Sequence, residues 1–205
     1  MQKYKFGGFD ESNHGNWPEL FVFLPSNNSF DIRQISRGKN RDIENIPLTE
    51  RFLDAKYIVI NGDNIEYKEN LNKKKQGIFY SFLRVMVLSE FIRAFPGLEM
   101  IIADGEIPEK VIEVVREVTR YNGELKAQKD ADIQFDIVNE ADHFAYLLFM
   151  RDKALRESQH KTVGELIKRF KAKEIIPLIL QPSAEIESHK ITPHIEEYLP
   201  FLDLF

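Results

Sequence analysis

The chain has 205 residues, of which 43% are hydrophobic and 30% charged, as in a globular protein with one domain and a substantial core. It contains no cysteine, which excludes disulfides, thiolate metal sites and cysteine nucleophiles, and we expect a cytoplasmic protein. No apolar run approaches the roughly 18 residues of a membrane span, so we expect no membrane association. The net charge of −5 is unlike that of a dedicated nucleic-acid binder.

The first half of the chain predicts short strands. Residues 4–15 begin with a half-apolar stretch around Gly7 and Gly8, where missing side chains let another backbone or a ligand come close. Apolar patterns predict further strands at Glu19–Leu24, Phe30–Ile35 and Lys56–Ile60. The first three strands along the chain are interpreted as an antiparallel meander.

The second half predicts alternating helices and strands. Gly77–Phe95 is apolar nearly all round except for Arg84, Glu90 and Arg93, which predicts a buried helix. The remaining predicted elements are a strand at Leu98–Ala103, a helix at Glu109–Arg120, one or two strands within Leu125–Val138, a helix from Asn139 to about Ser158, a helix at Thr162–Lys173 and a strand at Ile175–Leu180. This order predicts an α/β fold with a mixed sheet and helices on both faces.

Acidic residues stand where several of these elements begin or end. Asp10 and Glu11 close the first strand, Asp104 closes the central strand, and Asp142 lies at the start of the helix after Asn139. Ligands commonly bind at the carboxyl ends of strands in such sheets. Clustered carboxylates repel one another unless cations neutralise them, and hard oxygen ligands favour Mg²⁺ or Mn²⁺. The pattern therefore indicates a divalent-metal site, although each residue alone also fits a turn or a helix cap.

Two of these segments resemble motifs of the ribonuclease H-like superfamily. Phe9–Ser12 (Phe-Asp-Glu-Ser) is similar to its opening strand, and Ile101–Gly105 (Ile-Ile-Ala-Asp-Gly) is similar to its Asp-Gly segment. The motif order is closest to the type 2 ribonucleases H. The resemblance implies an RNase H-like fold over residues 1–158, with residues 159–205 as an extension packed on the same domain. It also implies that Asp10, Glu11 and Asp104 are catalytic metal ligands.

Two segments compete for the last ligand. Lys129–Val138 is similar to the Ala-Asp segment of type 2 ribonucleases H, which makes Asp132 the ligand. Asn139–Ala145 is similar to the last helix of type 1 ribonucleases H and to uncharacterised RNase H-fold families that begin with Asp-Glu-Ser. On that alignment the catalytic ligand is Asp142, and both alternatives stay open.

The resemblance implies a nuclease that uses Mg²⁺ or Mn²⁺ to hydrolyse phosphodiester bonds in RNA or an RNA–DNA hybrid. Where type 2 enzymes have Gly-Arg-Gly, this chain has Ser-Asn-His-Gly, so Asn13 and His14 become candidate nucleic-acid contacts. Candidate phosphate contacts are Lys73, Lys74 and Lys75. The lost Gly-Arg-Gly and the acidic balance also favour an alternative, a catalytically inactive RNase H-fold binding or assembly module. Metal-dependent phosphate chemistry on a small nucleotide is a third hypothesis.

Overall fold

Five strands of the chain form one sheet with helices on both faces. The computed structural model describes residues 3–12, 19–35, 54–60, 73–157 and 189–205. The elements are β1 (Phe6–Ser12), β2 (Glu19–Ser26), β3 (Lys56–Ile60), α1 (Lys73–Ala94), β4 (Met100–Asp104), α2 (Glu109–Thr119), β5 (Glu124–Gln128) and α3 (Asp136–Glu157), with short 3-10 helices at Ala131–Ile133, Ile195–Glu197 and Leu199–Leu204. The helix and strand predicted within residues 162–180 lie outside the described residues.

The sheet is mixed, with the strand order β3-β2-β1-β4-β5. β1 pairs with β2 in the antiparallel sense and with β4 in the parallel sense, while β3 and β5 extend the two sides. β4 is buried on both faces, as its continuous apolar run predicts. The predicted mixed α/β sheet with an N-terminal antiparallel meander is therefore confirmed.

Side chains from the two faces of the sheet pack into two separate hydrophobic cores. Phe9, Phe23 and Ile101 pack with α1 and α2 on one face. Val22 and Ile102 pack with α3 on the other face. Since neighbouring side chains on a strand point to opposite faces, β1, β2, β3 and β4 each contribute to both cores. Among the described residues, no helix is both long and apolar enough to cross a membrane.

The predicted strand at Phe30–Ile35 is wrong, because residues 29–33 form a turn. Phe30 is 61% exposed and Asp31 is 5% exposed, the reverse of what a half-buried strand requires. The Asp31 carboxylate accepts hydrogen bonds from the Ser26 hydroxyl and the Asn28 side-chain amide. The third strand of the meander is β3 instead.

Several other boundaries differ from the predictions, including those of β2 and α3. β2 runs on past Pro25, where the sequence predicts its end, to Ser26. The pairing with β3 stops at Phe23, so Pro25 lies where β2 is an edge and a missing N–H is tolerated. α3 begins at Asp136, ahead of the predicted start.

The two glycines of β1 bring packing partners close on both faces. A Cβ built on Gly8 would lie 2.5 Å from the backbone oxygen of Ile137 in α3. A Cβ on Gly7 would lie 2.0 Å from Cζ of Phe23. The predicted close approach of another backbone is confirmed at Gly8, and this approach sets the position of α3 on the sheet.

The C-terminal residues cover the edge of β3 and then cross to α1. The Tyr57 N–H donates to the carbonyl of His189 (3.1 Å), and the Ile191 N–H donates to the carbonyl of Tyr57 (2.8 Å). Further on, the fully buried Tyr198 hydroxyl donates to Glu90 Oε1 at 2.6 Å and accepts from Arg93 Nη1 at 3.0 Å. These contacts join residues 189–205 to both the sheet edge and the long helix.

Candidate metal centre

Asp10 and Asp104 lie side by side, directly after the last parallel pair of β1 and β4. Phe9 and Ala103 are partners in the β1–β4 ladder, so the next residue of each strand carries a carboxylate. Adjacent strands are about 4.8 Å apart, and residues in register share a face. Gly8 and Ile102, two residues earlier, both lie against α3. The two carboxylates therefore face α3.

α3 brings a third carboxylate to this point. Asp142 lies five residues after Ile137, the residue that covers Gly8, so the helix passes from Gly8 towards the end of β1. The Asp142 and Asp10 carboxyl groups are hydrogen-bonded to each other. Close contact of α3 with the sheet thus places an acidic side chain on top of the two strand ends.

Burial and like charge make ionisation of Asp10 unfavourable. Asp10 is 4% exposed. Burial raises its pKa well above the ordinary value, and the nearby charges of Asp142 and Asp104 raise it further, against the opposing effect of the Glu11 backbone N–H. The charged form of Asp10 is therefore disfavoured where no cation neutralises the cluster.

Asp104 accepts hydrogen bonds from two backbone N–H groups. Burial raises its pKa, while the backbone N–H groups of Ala131 and Gly105 oppose this effect. The Ala131 N–H lies 2.6 Å from Asp104 Oδ1. This contact fixes the carboxylate of Asp104 at the strand end.

The three carboxylates are oxygen donors of the type that Mg²⁺ and Mn²⁺ prefer. Within the described ranges, no three His, Asp or Glu side chains already stand in the arrangement of a complete metal site. The donor chemistry of the cluster fits a hard divalent ion, which would offset the repulsion between the carboxylates.

Glu11 faces away from this cluster. Its Oε1 accepts a hydrogen bond from Arg84 Nη2 at 2.9 Å on the α1 side of the sheet, where Arg84 Nη1 also donates to the carbonyl of Glu106 at 3.1 Å. The structure does not bring Glu11 to Asp10, Asp104 and Asp142. Its role as a metal ligand stays a prediction.

The other predicted site residues lie in other elements or outside the described residues. Asp132 is 4% exposed in the 3-10 helix at Ala131–Ile133, next to the residue that binds Asp104. Asp142, by contrast, is hydrogen-bonded to Asp10. Lys73, Lys74 and Lys75 begin α1. Asn13 and His14 lie outside the described residues.

No family model matches the chain, and no curated protein sequence matches it. Solved structures similar to it include a chain of the PCNA:RNase HII complex from Archaeoglobus fulgidus, with 15% identity, a TM-score of 0.47 and coverage of 87% of this chain and 91% of that chain. Another is ribonuclease H2 from Pyrococcus horikoshii OT3, with 13% identity, a TM-score of 0.41 and coverage of 89% and 83%.

Sequence reasoning missed a second polar cluster, which lies on the α1 face of the sheet. Beside the Arg84–Glu11 pair, Tyr80 is hydrogen-bonded to Glu19, which is 3% exposed. Burial and the Glu19 carboxylate raise the pKa of Tyr80 to about 12. The available signal was Arg84 itself, a charge in an otherwise apolar helix, since such a charge requires a partner when the helix is buried.

A shallow pocket of about 600 Å³ lies away from the carboxylates. It is lined by Tyr4, Ser26, Asp31 and Asp54 among others, where β1 begins and β2 ends. Two of the lining side chains, Ser26 and Asp31, form the hydrogen bond that stabilises the turn after β2. The pocket therefore lies near the start of β1, at the end of the strand opposite to Asp10.

Proposed function

We propose that the protein is a nuclease that hydrolyses phosphodiester bonds in RNA or an RNA–DNA hybrid with Mg²⁺ or Mn²⁺ held by Asp10, Asp104 and Asp142. The observation that carries the proposal is the hydrogen bond of the buried Asp10 with Asp142 beside Asp104. Three carboxylates in a partly buried site raise the free energy of the metal-free protein at neutral pH. A divalent cation would relieve this repulsion, which is the physical reason to expect one here.

Divalent cations, when bound, supply a more acidic attacking water and stabilise the leaving oxygen of a phosphodiester displacement. The chain contributes the positions of the ligands. β1 fixes Asp10, the Ala131 N–H orients Asp104, and the packing of α3 on Gly8 places Asp142. Each ligand is thus attached to a regular element or held by backbone, which favours a precise site.

A second candidate function is a catalytically inactive binding or assembly module with the same fold. Two observations favour it. The described residues contain no complete set of three metal ligands, and the Glu11 carboxylate is bonded to Arg84. A module of this kind would bind nucleic acid or protein without cleaving it.

The deciding experiment is a cleavage assay with end-labelled RNA–DNA hybrid, single-stranded RNA and single-stranded DNA in Mn²⁺, Mg²⁺ or EDTA. We expect metal-dependent cleavage that Asp10→Asn and Asp142→Asn reduce by more than ~100-fold. Substitution of residues that merely orient metal ligands already lowers metal affinity or activity by about 10–100-fold. Asp132→Asn, assayed in parallel, separates the two candidates for the last ligand. Glu113→Gln, the same chemical change at an exposed position of α2, is the matched control.

Absence of cleavage on every substrate, or cleavage that persists in EDTA and in Asp10→Asn, overturns the nuclease proposal. Binding of the hybrid without cleavage would instead support the inactive module.

A further inference from the structure

Phe30 is more exposed than any other large apolar side chain of the described residues. It is 61% exposed, compared with 45% for Leu204 and 38% for Leu199. The guanidinium of Arg33 lies over its ring, 4.0 Å from the centroid. With one face covered by Arg33, the exposed surface of Phe30 is its edge and its opposite face.

The turn that carries Phe30 is held without help from its ring. Asn28 N–H donates to Ser26 Oγ (2.9 Å), and Phe30 N–H donates to Asn28 Oδ1 (3.0 Å). At the other end of the turn, the Ile35 N–H donates to the carbonyl of Gln134 (2.8 Å). A polar residue would suit position 30 equally well in this backbone. Burial in the fold therefore does not account for an aromatic ring here.

Three glutamine side chains connect the residue after this turn to β5. Gln34 and Gln128 both donate to Oε1 of Gln134, each at 2.5 Å. Gln128 is in turn the ladder partner of Asp104 at the end of β4. A row of amide groups thus runs from the residue after Arg33 to the strand that pairs with the one carrying a proposed metal ligand.

We propose that Phe30 and Arg33 form a stacking subsite for a base of single-stranded nucleic acid, on the path of the strand that reaches Asp104. An exposed aromatic ring stacks on any base, and Arg adds cation–π attraction and charge for the phosphates. The hydrogen bonds among the glutamine side chains hold the end of the turn beside β5. This inference rests on the proposed function, because it states where the substrate strand continues beyond the cut.

The composition of the surface favours nucleic acid over a protein partner. The residues flanking Phe30 in the turn are polar, with Asn28 and Ser29 exposed before it and Arg33 and Gln34 exposed after it. A protein-binding surface needs a contiguous apolar patch, which one ring does not supply. Within the described residues, the ion pairs do not involve Arg33.

The test is the fluorescence anisotropy of fluorescein-labelled ten-nucleotide poly-rA and poly-dT with the full chain in EDTA, where metal-dependent cleavage is off. We expect Phe30→Ala to weaken binding by roughly tenfold, from the free energy of one stacked base. Phe30→Trp should bind at least as tightly as the wild type. Leu204→Ala, another exposed apolar side chain, should bind unchanged, and the thermal midpoint of Phe30→Ala should match that of the wild type.

Equal binding by Phe30→Ala and the wild type overturns the subsite, as does Phe30→Trp binding as weakly as Phe30→Ala. Failure of the wild type to bind either oligonucleotide overturns it too. The two proposals fail separately. If binding depends on Phe30 but the protein never cleaves, only the nuclease proposal is overturned. If cleavage depends on metal but binding does not depend on Phe30, only the subsite proposal is overturned.

Discussion

At the scale of single residues, the pleat of β1 gives two adjacent carboxylates opposite surroundings. Asp10 faces α3 and shares a hydrogen bond with Asp142, while Glu11 faces α1 and pairs with Arg84. The Arg84 and Glu11 side chains are 23% and 14% exposed, so removal of either would leave the other charge poorly solvated. Asp10 therefore destabilises the metal-free fold, whereas Glu11 stabilises it through its pair with Arg84.

The metal-free protein should gain stability when Asp10 loses its charge. The pKa of Asp10 is higher in the folded protein than in the unfolded chain. Its contribution to stability is therefore present below the ordinary carboxyl pKa and is lost as the pH rises through the folded-state pKa. In EDTA we expect Asp10→Asn to melt at a higher temperature than the wild type, with a gap that widens from about pH 4 to about pH 8.

Thermal melting with and without Mn²⁺ completes this test. Saturating Mn²⁺ should raise the midpoint of the wild type and leave that of Asp10→Asn unchanged, because a ligand stabilises only the state that binds it. A lower midpoint of Asp10→Asn in EDTA at pH 8 would contradict the electrostatic account.

The sequence indicated which carboxylates to consider but not which face each would occupy. Asp10, Asp104 and Asp142 follow from strand ends and motif resemblance, and the structure brings these three together. The partner of Glu11 could not be predicted, because Arg84 lies 73 residues away on another element. Contacts of this kind depend on how the helix lies on the sheet, which no local pattern encodes.

At the scale of elements, the position of α3 depends on the missing side chain of Gly8. A side chain there would meet the backbone of Ile137, and backbone cannot move aside by a rotamer change. The apolar patterns predicted most of these elements well, since buried helices and strands have clear periodicities. The pattern failed at Phe30–Ile35 because its polar Asp31 is buried by hydrogen bonds while its apolar Phe30 is exposed.

Gly8→Ala should displace α3 and separate Asp142 from Asp10. We expect a loss of about 1–3 kcal/mol in the free energy of unfolding, typical of an overpacked core, together with loss of the Mn²⁺-induced rise in melting temperature. Gly77→Ala is the matched control, because nothing lies within 4 Å of a Cβ at that helical position. The control should gain about 0.5–1 kcal/mol. Equal behaviour of the two variants in urea unfolding would show that Gly8 does not set the packing of α3.

At the scale of the whole molecule, the C-terminal residues join parts of the fold that are distant in sequence. They pair with the outer edge of β3 and then place Tyr198 against Glu90 and Arg93 of α1. The pairing covers an exposed row of backbone groups, which would otherwise invite association with other chains. The charges of Glu90 and Arg93, unexplained in an apolar helix by the sequence alone, thus have a structural function.

Tyr198→Phe should weaken this connection without changing the shape of the core. The variant loses hydrogen bonds to Glu90 and Arg93, and we expect a decrease of about 1–3 kcal/mol in the free energy of unfolding, as for hydrogen bonds to charged groups. Leu199→Ala, at the exposed neighbouring position, should change it by less than about 0.5 kcal/mol. Urea unfolding measures both, and a Tyr198→Phe variant as stable as the wild type would contradict this role.

The alternation along β1 also limits how this gene can change by insertion and deletion. One codon added between Gly8 and Asp10 would exchange the two faces for every later residue of the strand, so that Asp10 would meet Arg84 and lose Asp142. Point substitutions alter one face at a time, whereas a frame-preserving indel here alters both cores together. Descendants of this sequence can therefore vary in length between elements, but within β1 they must keep the residue count.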